Sequence, residues 1–228
     1  MNIQRLLLVA IALALATAGF AYPNFNATTG IIAVPTAYTT PAGMLVGAAD
    51  ISFQDSTTLI TRAIYGLSPN FEVGALLGLG EETSIGMTGK YRTPLFPGLG
   101  TFSVGLSLAD SGVGSGYQLF FVGSRALAGE DTGGMVLLGT LGLTFTNFED
   151  LTGILPFAGA ELRLSEGFEI DAEFVLEAGD FNRSTFSLLA RKRITDTWGA
   201  QLGFTNAVGF LATADSNLFF GASYVFGR

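Results

Sequence analysis

Acidic and apolar residues alternate through residues 168–177 (FEIDAEFVLE), and the carboxylates of this stretch are the first candidates for chemistry. Paired carboxylates can act as general acid and base, and Glu173 with Glu177 is such a pair, as glycoside hydrolysis would need. The same side chains are equally typical of a solvated polar wall. We therefore predict no catalytic residue in this stretch.

The absence of histidine and cysteine excludes several kinds of catalytic and metal site. The sequence has no His and no Cys, which excludes Ser-His-Asp catalysis, His/Cys metal sites, disulfides and a lipidated cysteine. Of the 11 basic residues, Arg5 lies in a predicted leader; the other ten stand against 19 acidic residues, a net charge of −9. This balance argues against nucleic acid as a partner, because phosphate binding needs clustered Lys and Arg. We expect no enzyme, no cofactor and no metal site.

The alternation itself predicts the fold. Successive side chains of a strand point to opposite faces, so residues 168–177 form a strand with one apolar and one polar face. The chain repeats this pattern about a dozen times, with Gly, Ser and Thr replacing the acids. It is 49% hydrophobic and 13% charged, yet beyond residue 21 no apolar run is long enough for a membrane helix. We predict an all-β, transmembrane, antiparallel up-and-down barrel of about 12 strands.

The first residues have the features of a secretory signal peptide. Arg5 supplies a basic start, residues 6–15 form a short apolar segment, and small residues allow cleavage after Ala18 or Ala21. We assign residues 1–21 to the signal peptide. The apolar segment is too short for a comfortable membrane span, although an uncleaved anchor is the alternative.

Two further regions follow the signal peptide. Residues 22–43 contain three Pro and several Thr without long alternation, and form a lead-in segment. This segment either hangs in the periplasm or tucks into the barrel mouth. Residues 44–228 form the barrel, whose even strand number returns both ends to one side, the periplasmic side. Residues 110–116 and 147–153 are among the predicted external loops.

Inward-facing charges are concentrated late in the chain. Centring a tight turn on Glu166 places Arg163 opposite Glu169. The same turn places Glu161 opposite Asp171. Cross-strand neighbours on one face lie about 5 Å apart, so we expect arginines, Arg163 among them, to neutralise Glu169 and Asp171 in a network along the wall.

The next loop extends this arrangement. Centring it near Phe181 places Glu169 opposite Arg193 and Asp171 opposite Arg191. The full predicted lumen charge network is Glu161, Arg163, Glu169, Asp171, Glu173, Glu177, Arg191 and Arg193. In it, Glu173 and Glu177 are less paired and nearer the outer mouth. They either favour cations or bind a ligand; the alternative is a solvated polar wall.

The C-terminus carries a separate pattern. Gly221, Tyr224 and Phe226 fit Gly-x-x-aromatic-x-aromatic, which resembles the terminal signal that barrel-assembly machinery recognises in bacterial outer-membrane proteins. Phe219 departs from it, because the signal favours a polar residue there, and two residues follow the last aromatic. The alternative is an ordinary amphipathic strand. We expect the assembly machinery and outer-membrane lipid as partners.

Two short motifs resemble one family. Residues 30–37 (GIIAVPTA) and residues 65–74 (YGLSPNFEVG) are similar to motifs of the exopolysaccharide-biosynthesis outer-membrane barrel family. Members are typically longer and often lipid-anchored, so this chain would be a short, single-barrel, non-lipidated variant. The resemblance implies placement in the bacterial outer membrane.

These observations lead to three functional readings. The first is a narrow passive channel, or an accessory or conduit barrel for surface polysaccharide export, with polysaccharide or small solutes as cargo. The second is a closed structural barrel that acts through its loops or a periplasmic partner. The third is a soluble secreted β-barrel that binds an apolar ligand inside.

Overall fold

The computed structural model describes residues 28, 30, 33, 35–53, 57–80, 83–93, 99–111, 114–129, 135–148, 151–164, 167–176, 184–206 and 217–226. The predicted signal peptide and Glu177 lie outside these residues. Among the described residues, no helix is long and apolar enough to cross a membrane.

The described chain consists almost entirely of β-strands. The strands are β1 (Leu45–Phe53), β2 (Thr57–Ser68), β3 (Phe71–Leu79), β4 (Thr83–Thr93), β5 (Thr101–Ser111), β6 (Gly114–Ala128), β7 (Val136–Phe148), β8 (Leu151–Arg163), β9 (Phe168–Val175), β10 (Thr185–Arg193), β11 (Trp198–Thr205) and β12 (Asn217–Phe226). Each pairs antiparallel with its sequence neighbours, and β1 pairs with β12 to close the barrel. The predicted up-and-down barrel of 12 strands is confirmed. We call the end where β1 begins and β12 finishes the near end.

Alternate residues face opposite sides of the wall. On β5, Ser103 and Ser107 point into the lumen and are at most 2% exposed, whereas Val104 and Leu108 are 46% and 51% exposed on the outer surface. Most large apolar side chains lie outside in the same way. This orientation is the reverse of the one that a secreted barrel with an apolar ligand inside would need.

Two predicted loops are mostly strand. β5 continues to Ser111 and β6 begins at Gly114, so Asp110 pairs with Ser115 inside the predicted loop 110–116. The ladder between β7 and β8 likewise extends to Phe148 and Leu151, within the predicted loop 147–153. Ladder hydrogen bonds come from the backbone, which Gly, Ser and Asn also supply, so turn-forming composition alone does not end a strand.

Three phenylalanine side chains point into the lumen and cover cross-strand glycines of the wall. The cross-strand pairs are Phe120 with Gly105, Phe157 with Gly142, and Phe219 with Gly203. A Cβ atom at each glycine would collide with the phenyl ring that covers it. An aromatic ring over a cross-strand glycine restores packing at that position, and here it also narrows the lumen.

Candidate functional site

The described residues of the lead-in segment occupy the lumen. Thr28, Ala37 and Thr40 are completely buried, and their hydrogen bonds go to inward-facing side chains of the wall. We call the described residues 28, 30, 33 and 35–43 the plug. Of the two predicted positions, the periplasm or the barrel mouth, the structure favours the barrel and places the plug inside the lumen.

A single carboxylate binds both ends of the plug. Glu72 Oε1 accepts a hydrogen bond from the Thr28 hydroxyl (2.6 Å), and its Oε2 accepts one from the Thr40 backbone N–H (2.7 Å). The Thr40 hydroxyl donates to the same Oε2 (3.1 Å). The ammonium of Lys90 lies 2.9 Å from Oε1, and both charged side chains are almost fully buried. Glu72 therefore holds the two ends of the plug together at one point of the wall.

The opposite wall holds the middle of the plug. Both oxygens of Glu173 on β9 accept a hydrogen bond from the Ala33 backbone N–H (2.9 and 3.1 Å). On β10, Arg191 donates to the Gly30 carbonyl oxygen at 3.5 Å. Strand β9 is six places from β3 in the ring of 12 strands, so the plug spans the lumen from side to side.

Between these walls, the plug is held by its backbone and by one apolar contact. The Lys90 ammonium donates to the Thr36 carbonyl oxygen (3.1 Å), and the Ser103 hydroxyl donates to the Ala37 carbonyl oxygen (2.6 Å). The Ala37 N–H donates to the Ser124 hydroxyl (2.9 Å). The Ala37 side chain belongs to an apolar cluster with Ile60, Phe120, Val122, Phe157, Leu189 and Phe219. Most of these hydrogen bonds use backbone atoms of the plug. The binding of the plug to the wall therefore depends more on the course of its backbone than on its side chains.

The plug leaves the lumen beside Gly66 at the near end. Gly66 accepts a hydrogen bond from the Gly43 N–H (2.8 Å) and donates to the Met44 carbonyl oxygen (3.0 Å). A Cβ atom at Gly66 would collide with the backbone of Thr40 and Pro41, so this close approach requires glycine. Glu72 and Gly66 both lie in residues 65–74, so this motif contacts the plug on either side of residues 30–37, at Thr28 and at Thr40.

Five members of the predicted lumen charge network meet at the near end. Arg163 contacts Glu161 (3.1 Å) and Glu169 (3.2 Å). Arg191 contacts Glu169 (2.8 Å) and Asp171 (2.9 Å). The predicted cross-strand pairs of Arg163 with Glu169 and of Glu161 with Asp171 are those of the ladder.

The predicted register of the next hairpin is wrong by two residues. Arg191 lies directly opposite Glu169, and Leu189 lies opposite Asp171. Arg193 is the last residue of β10 and is exposed, rather than opposite Glu169. A shift of two residues leaves every side chain on its own face, so alternation cannot detect it.

Glu173 also differs from the prediction. It is 2% exposed and bound to the plug, so among the described residues it is not a loosely paired carboxylate at an outer mouth. Its predicted companion Glu177 lies outside the described residues. The role of these two residues in favouring cations stays a prediction.

Sequence reasoning missed the lumen charges of the early strands. Asp50 forms an ion pair with Arg62 and accepts a hydrogen bond from the Gln201 amide, and all three are buried. Glu72 and Lys90 form the second early pair. All five occupy polar positions of the alternation, so pairing early strands by register, as was done for the late strands, would have found them.

Comparisons with known proteins show the fold. No protein family matches the sequence, and no curated protein matches it. Among solved structures, the KdgM porin has a TM-score of 0.66 at 11% identity, covering 80% of this chain and 99% of its own. Omp33 of Acinetobacter baumannii has a TM-score of 0.56 at 13% identity, covering 80% and 97%. The COG4313 outer membrane channel from Pseudomonas putida F1 has a TM-score of 0.55 at 10% identity, covering 83% and 98%.

Proposed function

We propose that this protein is a narrow channel of the bacterial outer membrane whose lumen is closed at rest by its own N-terminal plug. The observation that carries the proposal is the plug itself, which is bound to opposite walls of a lumen lined by polar and charged side chains. Two of the solved structures that share the fold are named as a porin and as an outer membrane channel, which supports a conducting barrel.

The outer surface supports a membrane location. Between its ends it is covered by exposed apolar side chains such as Leu106, Leu141 and Leu202. At the near end, exposed aromatic side chains follow the rim: Tyr65, Phe71, Tyr91, Trp198 and Phe226. An apolar band with aromatic residues at its border is typical of outer-membrane barrels.

The cargo that fits best is a sugar polymer or a small polar solute. The wall at the plug offers hydroxyls, carboxylates and cations, together with phenylalanine rings such as Phe120 and Phe157, and sugars use this combination of hydrogen bonds and apolar faces. A KdgM porin has been solved with disordered oligogalacturonate. Together with the resemblance of residues 30–37 and 65–74 to the exopolysaccharide family, this supports a conduit for surface polysaccharide.

A closed structural barrel is the second candidate. The hydrogen bonds that join the plug to Glu72, Glu173, Ser103 and Ser124 favour a permanently filled lumen. In that case the protein would act through its loops or a periplasmic partner.

Planar-bilayer recording separates the two candidates. Mature protein (residues 22–228) and protein that starts at residue 44 would be refolded, and insertion verified by heat-modifiable gel migration. The proposal expects rare openings for the mature protein and stable, discrete steps for the truncated one, reduced by added oligogalacturonate or neutral oligosaccharide if sugars enter. Insertion of both forms without conductance would establish the structural barrel instead.

A further inference from the structure

The charges at the near end of the lumen form a chain of alternating sign that is one cation short. The chain runs from Glu161 through Arg163, Glu169 and Arg191 to Asp171. Its two ends are carboxylates, and Glu161 lies directly opposite Asp171 in the ladder. Like charges in direct cross-strand opposition repel each other, so a cation between the two carboxylates would stabilise this contact.

Individual oxygen atoms indicate where that charge belongs. Glu161 Oε1 and Asp171 Oδ1 are buried and have no hydrogen-bond partner among the described residues. The two side chains are 5% and 0% exposed, so bulk water does not solvate them. Buried carboxylate oxygens without partners are strongly unfavourable, because they have lost water and gained nothing in return.

The type of donor atom and its burial favour calcium. One carboxylate oxygen from each of Glu161, Glu169 and Asp171 lies within 4.8 Å of the others. Calcium binds oxygen at about 2.3–2.6 Å and can therefore contact oxygens up to roughly 5 Å apart. Magnesium demands near-ideal octahedral geometry and usually keeps several of its waters, whereas calcium accepts irregular sets of carboxylate oxygens such as this buried one. We propose that a calcium-sized, oxygen-liganded cation binds between Glu161, Glu169 and Asp171.

The bound cation closes the chain of charges into a ring and connects the wall to the plug. Arg191, which contacts both Glu169 and Asp171, also donates to the Gly30 carbonyl oxygen of the plug. The cation therefore fixes the position of the arginine that holds one side of the plug. This site does not depend on whether the barrel conducts.

Thermal unfolding of the refolded mature protein tests the site. The protein would be treated with chelator, and the unfolding midpoint followed by the fluorescence of its single Trp while calcium, magnesium or sodium chloride is added. At calcium concentrations ~100 times the dissociation constant, the midpoint should rise by roughly 5–10 °C, with a smaller rise in magnesium. Isothermal titration calorimetry with calcium chloride should give a single site.

Single substitutions test whether the rise of the unfolding midpoint with calcium arises from this cluster. Glu161→Gln and Asp171→Asn should each abolish the calcium shift, and Glu161→Gln serves if Asp171→Asn fails to fold. Asp110→Asn, which removes an exposed carboxylate outside the cluster, should retain the full shift. A midpoint that calcium up to about 10 mM leaves unchanged would overturn the proposal, since even weak protein sites bind calcium below that concentration. An equal shift in Glu161→Gln would overturn it as well.

Discussion

Asp50 of β1 lies directly opposite Gly221 of β12, and its carboxylate occupies the space that a side chain at Gly221 would need. From there the carboxylate pairs with Arg62 of β2 and accepts a hydrogen bond from Gln201 of β11. One buried acid thereby connects four neighbouring strands across the seam where the barrel closes.

Replacement of Gly221 by alanine should destabilise this seam. The new methyl group would collide with the Asp50 carboxylate and with the Ala49 carbonyl oxygen, so the buried contact to Arg62 could not keep its geometry. Disrupting a buried ion pair costs about 3–5 kcal/mol, and urea unfolding of the refolded barrel would measure the loss.

Gly89→Ala is the matched control. Gly89 lies on β4, and a Cβ atom there would meet only the Phe71 ring at 3.8 Å, an ordinary contact. If Gly221→Ala unfolds at the same urea concentration as Gly89→Ala, the seam does not need glycine. Gly221 would then be left with its predicted role in the assembly signal with Tyr224 and Phe226.

Glu72→Gln should release the plug. The Lys90 ammonium keeps the glutamine amide oxygen on its own side, which turns the amide nitrogen toward Thr40. That nitrogen cannot accept a hydrogen bond from the Thr40 N–H, so this end of the plug loses its backbone bond. Loss of this one bond to a charged acceptor, worth about 1.5–3 kcal/mol, should raise the open population about tenfold or more. A cysteine placed at the buried Ala37 would report this as faster modification by a maleimide reagent.

A second variant separates release of the plug from damage to the wall. Glu72→Gln alone leaves Lys90 buried without its carboxylate, which can weaken the barrel. Adding Lys90→Met removes that charge together with the bond from Lys90 to the Thr36 carbonyl oxygen, so the unfolding midpoint should recover while labelling stays at least as fast. Labelling that returns to the wild-type rate in the double variant would show that Glu72 does not hold the plug.

Phe120→Ala should cost far more stability than Phe121→Ala. Phe120 is 4% exposed inside the lumen, where it covers Gly105 and contacts the cluster around Ala37. Truncating a buried phenylalanine costs about 3–5 kcal/mol, whereas Phe121 is 44% exposed on the outer surface. Equal losses for the two variants in urea unfolding would contradict the assignment of inner and outer faces.

The sequence was most informative about faces and strand number. Alternation depends only on which side each residue occupies, so it predicted 12 strands and placed Glu169, Asp171 and Glu173 on the inner face of β9. It could not fix the register of β10, because sliding Arg191 by two residues leaves both faces unchanged.

The sequence left the lead-in segment either in the periplasm or in the barrel mouth, and its contacts could not be predicted from alternation. Its contacts run mostly from backbone atoms, such as Ala33 N and Thr36 O, to wall side chains more than 50 residues away. Backbone groups are the same in every residue, so composition carries no sign of them. The contact does require a particular residue type at Gly66, where the plug passes too close to β2 for a side chain.

A reversible lock on the plug tests the central claim most directly. The protein has no cysteine, so Ala37→Cys with Ser124→Cys introduces its only thiols, at positions joined by a 2.9 Å hydrogen bond from backbone to side chain. Recordings in planar bilayers would compare the oxidised and reduced states of one preparation. A channel closed by its plug predicts openings that vanish on oxidation and return with reductant. Openings that persist with the disulfide formed would contradict it.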